Sequence, residues 1–174
     1  MRHNNTNNSR LVQSGFTLTE LIIVVSIAAL ITSFAIPSMK SAVSKSDITS
    51  ISNEMVSSLK FARLEAVKRI SSTTIQANGG DENAAWTKGF TITQEVDKGG
   101  NLESMNLRVS EGTRNNIRIS SGTNSMAVSF DARGFADKNH SIELCDSNDN
   151  SIEGRRVTVE ASGHVFSEAM DCAN

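Results

Sequence analysis

One carboxylate, Glu20, is the only charged side chain between Phe16 and Met39. It sits in Phe16-Thr17-Leu18-Thr19-Glu20 and is followed by an unbroken apolar run from Leu21 through Val25 to Ile36, relieved only by small or hydroxyl residues. A charge at membrane depth is expensive and is kept for a function, usually by meeting an opposite charge. The other reactive side chains are the two cysteines, Cys145 and Cys172. In a cytosolic protein they would be free thiols; in an exported one a lone pair reads as a disulfide.

Catalytic constellations are missing. His140 and His164 have no second histidine or cysteine at metal-ligand spacing. Asp146-Ser147-Asn148-Asp149-Asn150 places oxygens at alternate positions, as half a calcium loop would. However, Ser151 stands where glycine is needed and Val157 where the closing glutamate belongs, so the segment reads as a surface turn. Gly79-Gly80-Asp81-Glu82 resembles the diguanylate cyclase signature, but that activity needs a larger domain, and a polar turn is the reading taken. Neither a Gly-x-Ser-x-Gly elbow nor a P-loop occurs. The chain is predicted to be no enzyme, with no cofactor and no metal.

The elements that hold these residues come next. The 174 residues suit one compact domain plus an extension. A net charge of −2 gives no overall basic field. Residues 1–14 are polar, with Arg2, His3 and Arg10, and cannot build a core. From Phe16 to Met39 the chain is long enough for a membrane-spanning helix, which needs about 20 apolar residues. An ordinary secretory signal would end in small residues, and Ser33-Phe34-Ala35-Ile36-Pro37 is a poor site of that kind. A plain anchor explains the apolar run and its basic flank, but not Glu20.

Gly15-Phe16-Thr17-Leu18-Thr19-Glu20-Leu21 resembles the prepilin processing site of type IV pilins and type II secretion pseudopilins. The resemblance implies that a prepilin peptidase cuts between Gly15 and Phe16, removing a leader of residues 1–15, and that Phe16 is then N-methylated. It also implies that Glu20 pairs with the new amine of a neighbouring subunit and so sets the axial register of a filament. Thr19 departs from the family pattern, which is apolar there. Residues 16–39 become the transmembrane and filament-core helix, and residues 40–174 the periplasmic domain. The localisation implied is the bacterial inner membrane, then a pilus or pseudopilus, with an inner-membrane platform and other pilin subunits as partners. In that compartment Cys145 and Cys172 form a disulfide, worth about 3–4 kcal/mol in the chain-entropy model.

Pro37 removes a helical hydrogen bond and is expected to kink the helix as it leaves the membrane. The helical pattern resumes with Ile51, Met55, Leu59, Ala62, Ala66 and Ile70 on one face and Ser50, Glu54, Ser57, Lys60, Arg63 and Lys68 on the other. One helix from about Thr17 to Ile70, roughly 80 Å long, is predicted. The run Ala62-Arg63-Leu64-Glu65-Ala66 resembles the FimT/GspH group of minor pilins and pseudopilins; by residue chemistry Arg63 and Glu65 read as solvated charges.

Beyond Ile70, β-branched runs alternate with Gly, Asn, Asp and Ser clusters. Strands are expected at 73–77, 90–96, 105–109, 116–120, 126–130, 141–145, 156–160 and 164–167. An antiparallel sheet laid on the stripe Ile51–Ile70 makes the fold α+β. DNA contact, by analogy with pilins that resemble uptake receptors, would fall on Arg155 and Arg156, or on Arg108, Arg114 and Arg118. The function expected is a minor pilin of a type IV pilus; the alternatives are a type II secretion pseudopilin and a DNA-binding pilin.

Overall fold

The computed structural model describes residues 16–80, 85–113, 116–123 and 125–172, without the side chains of residues 34–38. The leader with Gly15, residues Asp81 and Glu82, Arg114 and the side chain of Pro37 therefore lie outside the described residues. The chain divides into two units, one reaching Met39 and the other running Lys40–Asn174.

Helix α1, Leu18–Arg69, is the described element of the first unit and the first element of the second. Within the first unit its large side chains are exposed, from Leu18 to Ile31. The hydroxyls in this stretch turn back onto the helix: Ser26 Oγ donates to the Ile22 carbonyl at 2.8 Å and Ser33 Oγ to that of Leu30 at 2.7 Å. Such bonds satisfy polar groups without water, which an apolar surrounding requires.

In the second unit α1 buries Ile48, Ser52, Met55, Leu59, Ala62 and Ala66. Their spacing of four and three residues keeps them on one face. Two four-stranded antiparallel sheets cover that face. The first, in the order β3-β2-β1-β5, is formed by β1 Thr73–Ala77, β2 Gly89–Lys98, β3 Asn101–Glu111 and β5 Ala127–Phe130. The second, in the order β4-β6-β7-β8, comprises β4 Ile117–Ser121, β6 His140–Asp146, β7 Gly154–Val159 and β8 Val165–Met170. Both grip the helix: Gln94 on β2 donates to the Glu65 carbonyl at 3.2 Å, and Ser167 on β8 meets Ser52 at 2.8 Å. Inward side chains alternate with outward ones, as with Ile142 and Leu144 on β6 and Val157 and Val159 on β7. Each large apolar side chain so buried stabilises the fold by about 1.5–3 kcal/mol.

The β2–β3 hairpin turns on Gly99 and Gly100, with φ of 71° and 93°. Positive φ at both central residues is the turn whose twist matches the strands, and it selects glycine.

Three expectations change. The predicted sheet is two sheets, because β4, β6, β7 and β8 pair only among themselves while β5 returns to pair with β1. A 3-10 helix, Ala85–Lys88, was not anticipated; it buries Trp86 at 1% exposure. Ile70 is not part of the buried stripe. The helix ends at Arg69, the Ser71 N–H bonds back to the Ala66 carbonyl at 3.1 Å, and Ile70 takes φ 51° with 81% of its surface exposed.

Candidate functional site

The head of α1 is built by its own first turn. Thr17 Oγ1 accepts the Glu20 N–H at 3.2 Å, and Glu20 Oε2 accepts both the Thr17 N–H at 2.9 Å and the Thr17 hydroxyl at 2.8 Å. This is a reciprocal capping box, which satisfies helix-end donors that have no partner within the helix. The Thr-x-x-Glu spacing that encodes it is present in the sequence, where the charge of Glu20 is the more conspicuous signal. Phe16 stands beside it, 88% exposed. Glu20 therefore already has a partner within its chain.

At the start of the second unit, two α1 side chains hold the loop between β6 and β7. Ser44 bonds Asp146, and Lys45 pairs with Glu153. The Lys45 ammonium, through its hydrogen bond and its charge, keeps the Glu153 carboxyl below its usual range. Asp146 Oδ1 also accepts the N–H groups of Asn148 and Asp149 at 2.8 and 3.2 Å, and Asp149 accepts the Ser151 N–H at 2.9 Å. The carboxylates of the half calcium loop thus close their own turn.

Cys145 and Cys172 are bonded, with Cα atoms 5.9 Å apart. Cys145 lies on β6 and Cys172 follows β8, so the bond passes over β7, the strand between them. Gly154, which begins β7, makes room: a Cβ there would collide with the Cys172 sulfur and lie 3.0 Å from that of Cys145.

The candidate DNA-contact arginines are dispersed. Arg156 lies between Glu143 at 3.0 Å and Glu168 at 3.8 Å, a cross-strand pairing on β7 and its neighbours. Arg155 is half-buried and close enough to Glu153 to act on its charge. Arg108 and Arg118 are exposed on β3 and β4. His140 is buried with Nε2 2.8 Å from Asp137, while His164 is exposed and stacks on Phe166.

Arg63 and Glu65 are not solvated charges. Arg63 Nε donates to the Gly134 carbonyl at 2.9 Å and Nη2 to that of Ser162 at 3.4 Å. Glu65 is 8% exposed and accepts from Arg69 at 2.8 Å. The strand-side turns that receive Arg63 lie about 70 residues and more downstream, so residue chemistry alone could not pair them.

A capped apolar helix head, continued into a helix clasped by two antiparallel sheets, is the build of a type IV pilin-like subunit. Residues 52–163 match the family model of type II transport protein GspH, and residues 10–36 match the prokaryotic N-terminal methylation motif. The first match takes in more than half of the chain, which belongs to the GspH family. Two crystal structures of the type IV minor pilin FimU from Pseudomonas aeruginosa strain PAO1 share the fold. One is 24% identical, covers 73% of this chain and 96% of its own, and has a TM-score of 0.59. The other is 23% identical, covers 72% and 99%, and has a TM-score of 0.57. No curated protein sequence matches.

The protein is thus a pilin-like structural subunit that assembles with other pilin subunits, and its methylation motif implies processing and membrane anchoring. Among the described residues no helix is long and apolar enough to cross a membrane.

Proposed function

We propose that this chain is a minor pilin of a type IV pilus. It is made as a prepilin, held in the bacterial inner membrane by residues 16–39 with residues 40–174 in the periplasm. A prepilin peptidase cuts after Gly15, Phe16 is methylated, and an inner-membrane platform passes the subunit into the filament. The observation that carries this reading is Glu20, a carboxylate inside an apolar helix, one turn from the peptide bond whose cleavage creates an amine. Paired charges offset part of the desolvation that each alone would suffer. The fold shared with a minor pilin and the Cys145–Cys172 disulfide support it.

A pseudopilin of a type II secretion system is the second reading, favoured by the family model over residues 52–163. Deleting the gene separates the two. Loss of pili with normal export of secreted enzymes supports the minor pilin; intact pili with failed export overturns it. Mass spectrometry of the mature protein must find methylated Phe16 at its start.

A further inference from the structure

We propose that the free edge of β3 pairs antiparallel with β3 of a second copy of this chain, joining two sheets into one across a two-fold axis at Met105. Such pairing is an association of the chain with itself and goes beyond its place in either filament.

β3 stands at one end of its sheet, and among the described residues its strand neighbour is β2 alone. The outer row of backbone N–H and C=O groups on β3 is therefore a template for another strand. Proteins commonly blunt such an edge by keeping it short or by placing lysine or proline on it. β3 instead runs 11 residues, about twice the usual strand, and contains neither lysine nor proline. All of it but Leu107 and Ser110 is exposed.

The side chains identify the occupant, because pairing with β2 fixes their faces. Met105 lies opposite Gln94 and Arg108 opposite Ile92, both buried, and Ser110 bonds Glu54 of α1 at 2.8 Å. Glu103, opposite Val96, shares this helix-side face. Leu102 and Val109 lie opposite Asp97 and Thr91, on the other face. Arg108 is five positions after Glu103, an odd spacing that a regular strand would place on opposite faces. Leu107 is the extra residue of a bulge, since Arg108 pairs with Ile92 and Asn106 with Thr93, and it returns Arg108 to the face of Glu103. The strand is then complementary to itself. With Met105 facing Met105, Ser104 meets Asn106, Glu103 meets Arg108 and Leu102 meets Val109, each twice, and the two bulges fall in equivalent places. An axis at Ser104 or Asn106 would instead set Glu103 against Met105 or Ser110. Glu103 pairs with Lys98 of its own hairpin at 2.7 Å, whereas Arg108 has no ion partner among the described residues, and the carboxylate of the second copy supplies one.

The test uses the full chain in its membrane. Met105→Cys should form a disulfide-linked dimer on mild oxidation, severalfold more than Val109→Cys, which is exposed on the same strand but meets Leu102 rather than itself. Adding Glu103→Arg or Arg108→Glu to Met105→Cys should abolish the dimer, since like charges then face each other, and adding both should restore most of it. Equal yields from positions 105 and 109, no dimer from 105, a yield indifferent to either single charge change, or no recovery in the double swap overturns the pairing. Sedimentation in detergent, with no cysteine introduced, should give a dimer for wild type and a monomer for Glu103→Arg; a monomeric wild type overturns the pairing as well.

Discussion

Arg63 of α1 donates its Nε–H to the carbonyl oxygen of Gly134 at 2.9 Å, joining the helix to the turn after β5. Its other arm reaches the Ser162 carbonyl in the turn before β8. The two turns meet at this guanidinium. Gly134 and Gly163 both have positive φ, of 85° and 78°, and a Cβ on Gly163 would stand 2.8 Å from Arg63 Nε. Arg63→Ala should lower stability by about 2 kcal/mol, or about 5 °C in melting temperature, because charged hydrogen bonds to two carbonyls are lost. Arg63→Lys should recover only part, since an ammonium lacks the fork. Thermal denaturation by circular dichroism measures both, and an unchanged Arg63→Ala midpoint would reject the anchor.

Gly163→Ala should be at least as damaging, at about 2 kcal/mol or more, because the left-handed backbone and the missing space both oppose a side chain. Gly80→Ala is the control: nothing lies within 4 Å of its added Cβ, and it should leave the midpoint nearly unchanged. Similar losses at both positions would sink the argument.

Cys145→Ser with Cys172→Ser should cost about 3 kcal/mol by freeing the loop between them in the unfolded chain. Gly154→Ala should hinder the same bond in the presence of both cysteines, since its methyl group would fall on the sulfurs. Free-thiol titration of the exported protein reads this directly: wild type should give no free thiol and Gly154→Ala a measurable fraction.

Thr17 and Glu20 can be separated experimentally. Glu20→Gln keeps a capping partner for Thr17 but removes the charge. It should be processed and methylated normally, yet assemble poorly. Thr17→Ala keeps the charge and weakens the helix start by about 1 kcal/mol, so assembly should fall less. Filaments of normal composition from the Glu20→Gln variant would show that the charge is dispensable.

Acid should loosen the turn at Asp131 and the clasp at Glu153. The Phe135 N–H and the Arg133 side chain hold Asp131 below the ordinary 3.8, and Lys45 holds Glu153 below 4.5. In both cases the unfolded chain binds the proton more readily. The contribution is therefore complete above the ordinary values and is lost as pH falls through the depressed native ones. Both groups are exposed, so the effect should shrink in high salt. Lys45→Met should flatten the acid limb of a melting-temperature profile relative to wild type; an identical limb counts against the clasp.

Much of this architecture was readable from residue periodicity. Thr73–Ala77 was bounded correctly because Gly79-Gly80 and the helix end frame it, and the stripe Met55, Leu59, Ala62 and Ala66 is buried as its spacing demanded. The split into two sheets was not readable, since which strands pair depends on long-range contacts such as Thr73 with Phe130. Ile70 misled because its apolar type continued the helical period, whereas the backbone ends the helix there. Arg63 was misread for the opposite reason: charge suggested solvent, but its partners are carbonyls, which carry no sequence signature.

The sulfur bridge over β7 also bears on mechanics. Residues 145–172 form a covalent ring that includes the strand reached by Ser52 and the loop grasped by Ser44 and Lys45. Tension entering along α1 meets that ring first. The β1–β3 meander, among the described residues, has hydrogen bonds and packing but no covalent tie of this kind.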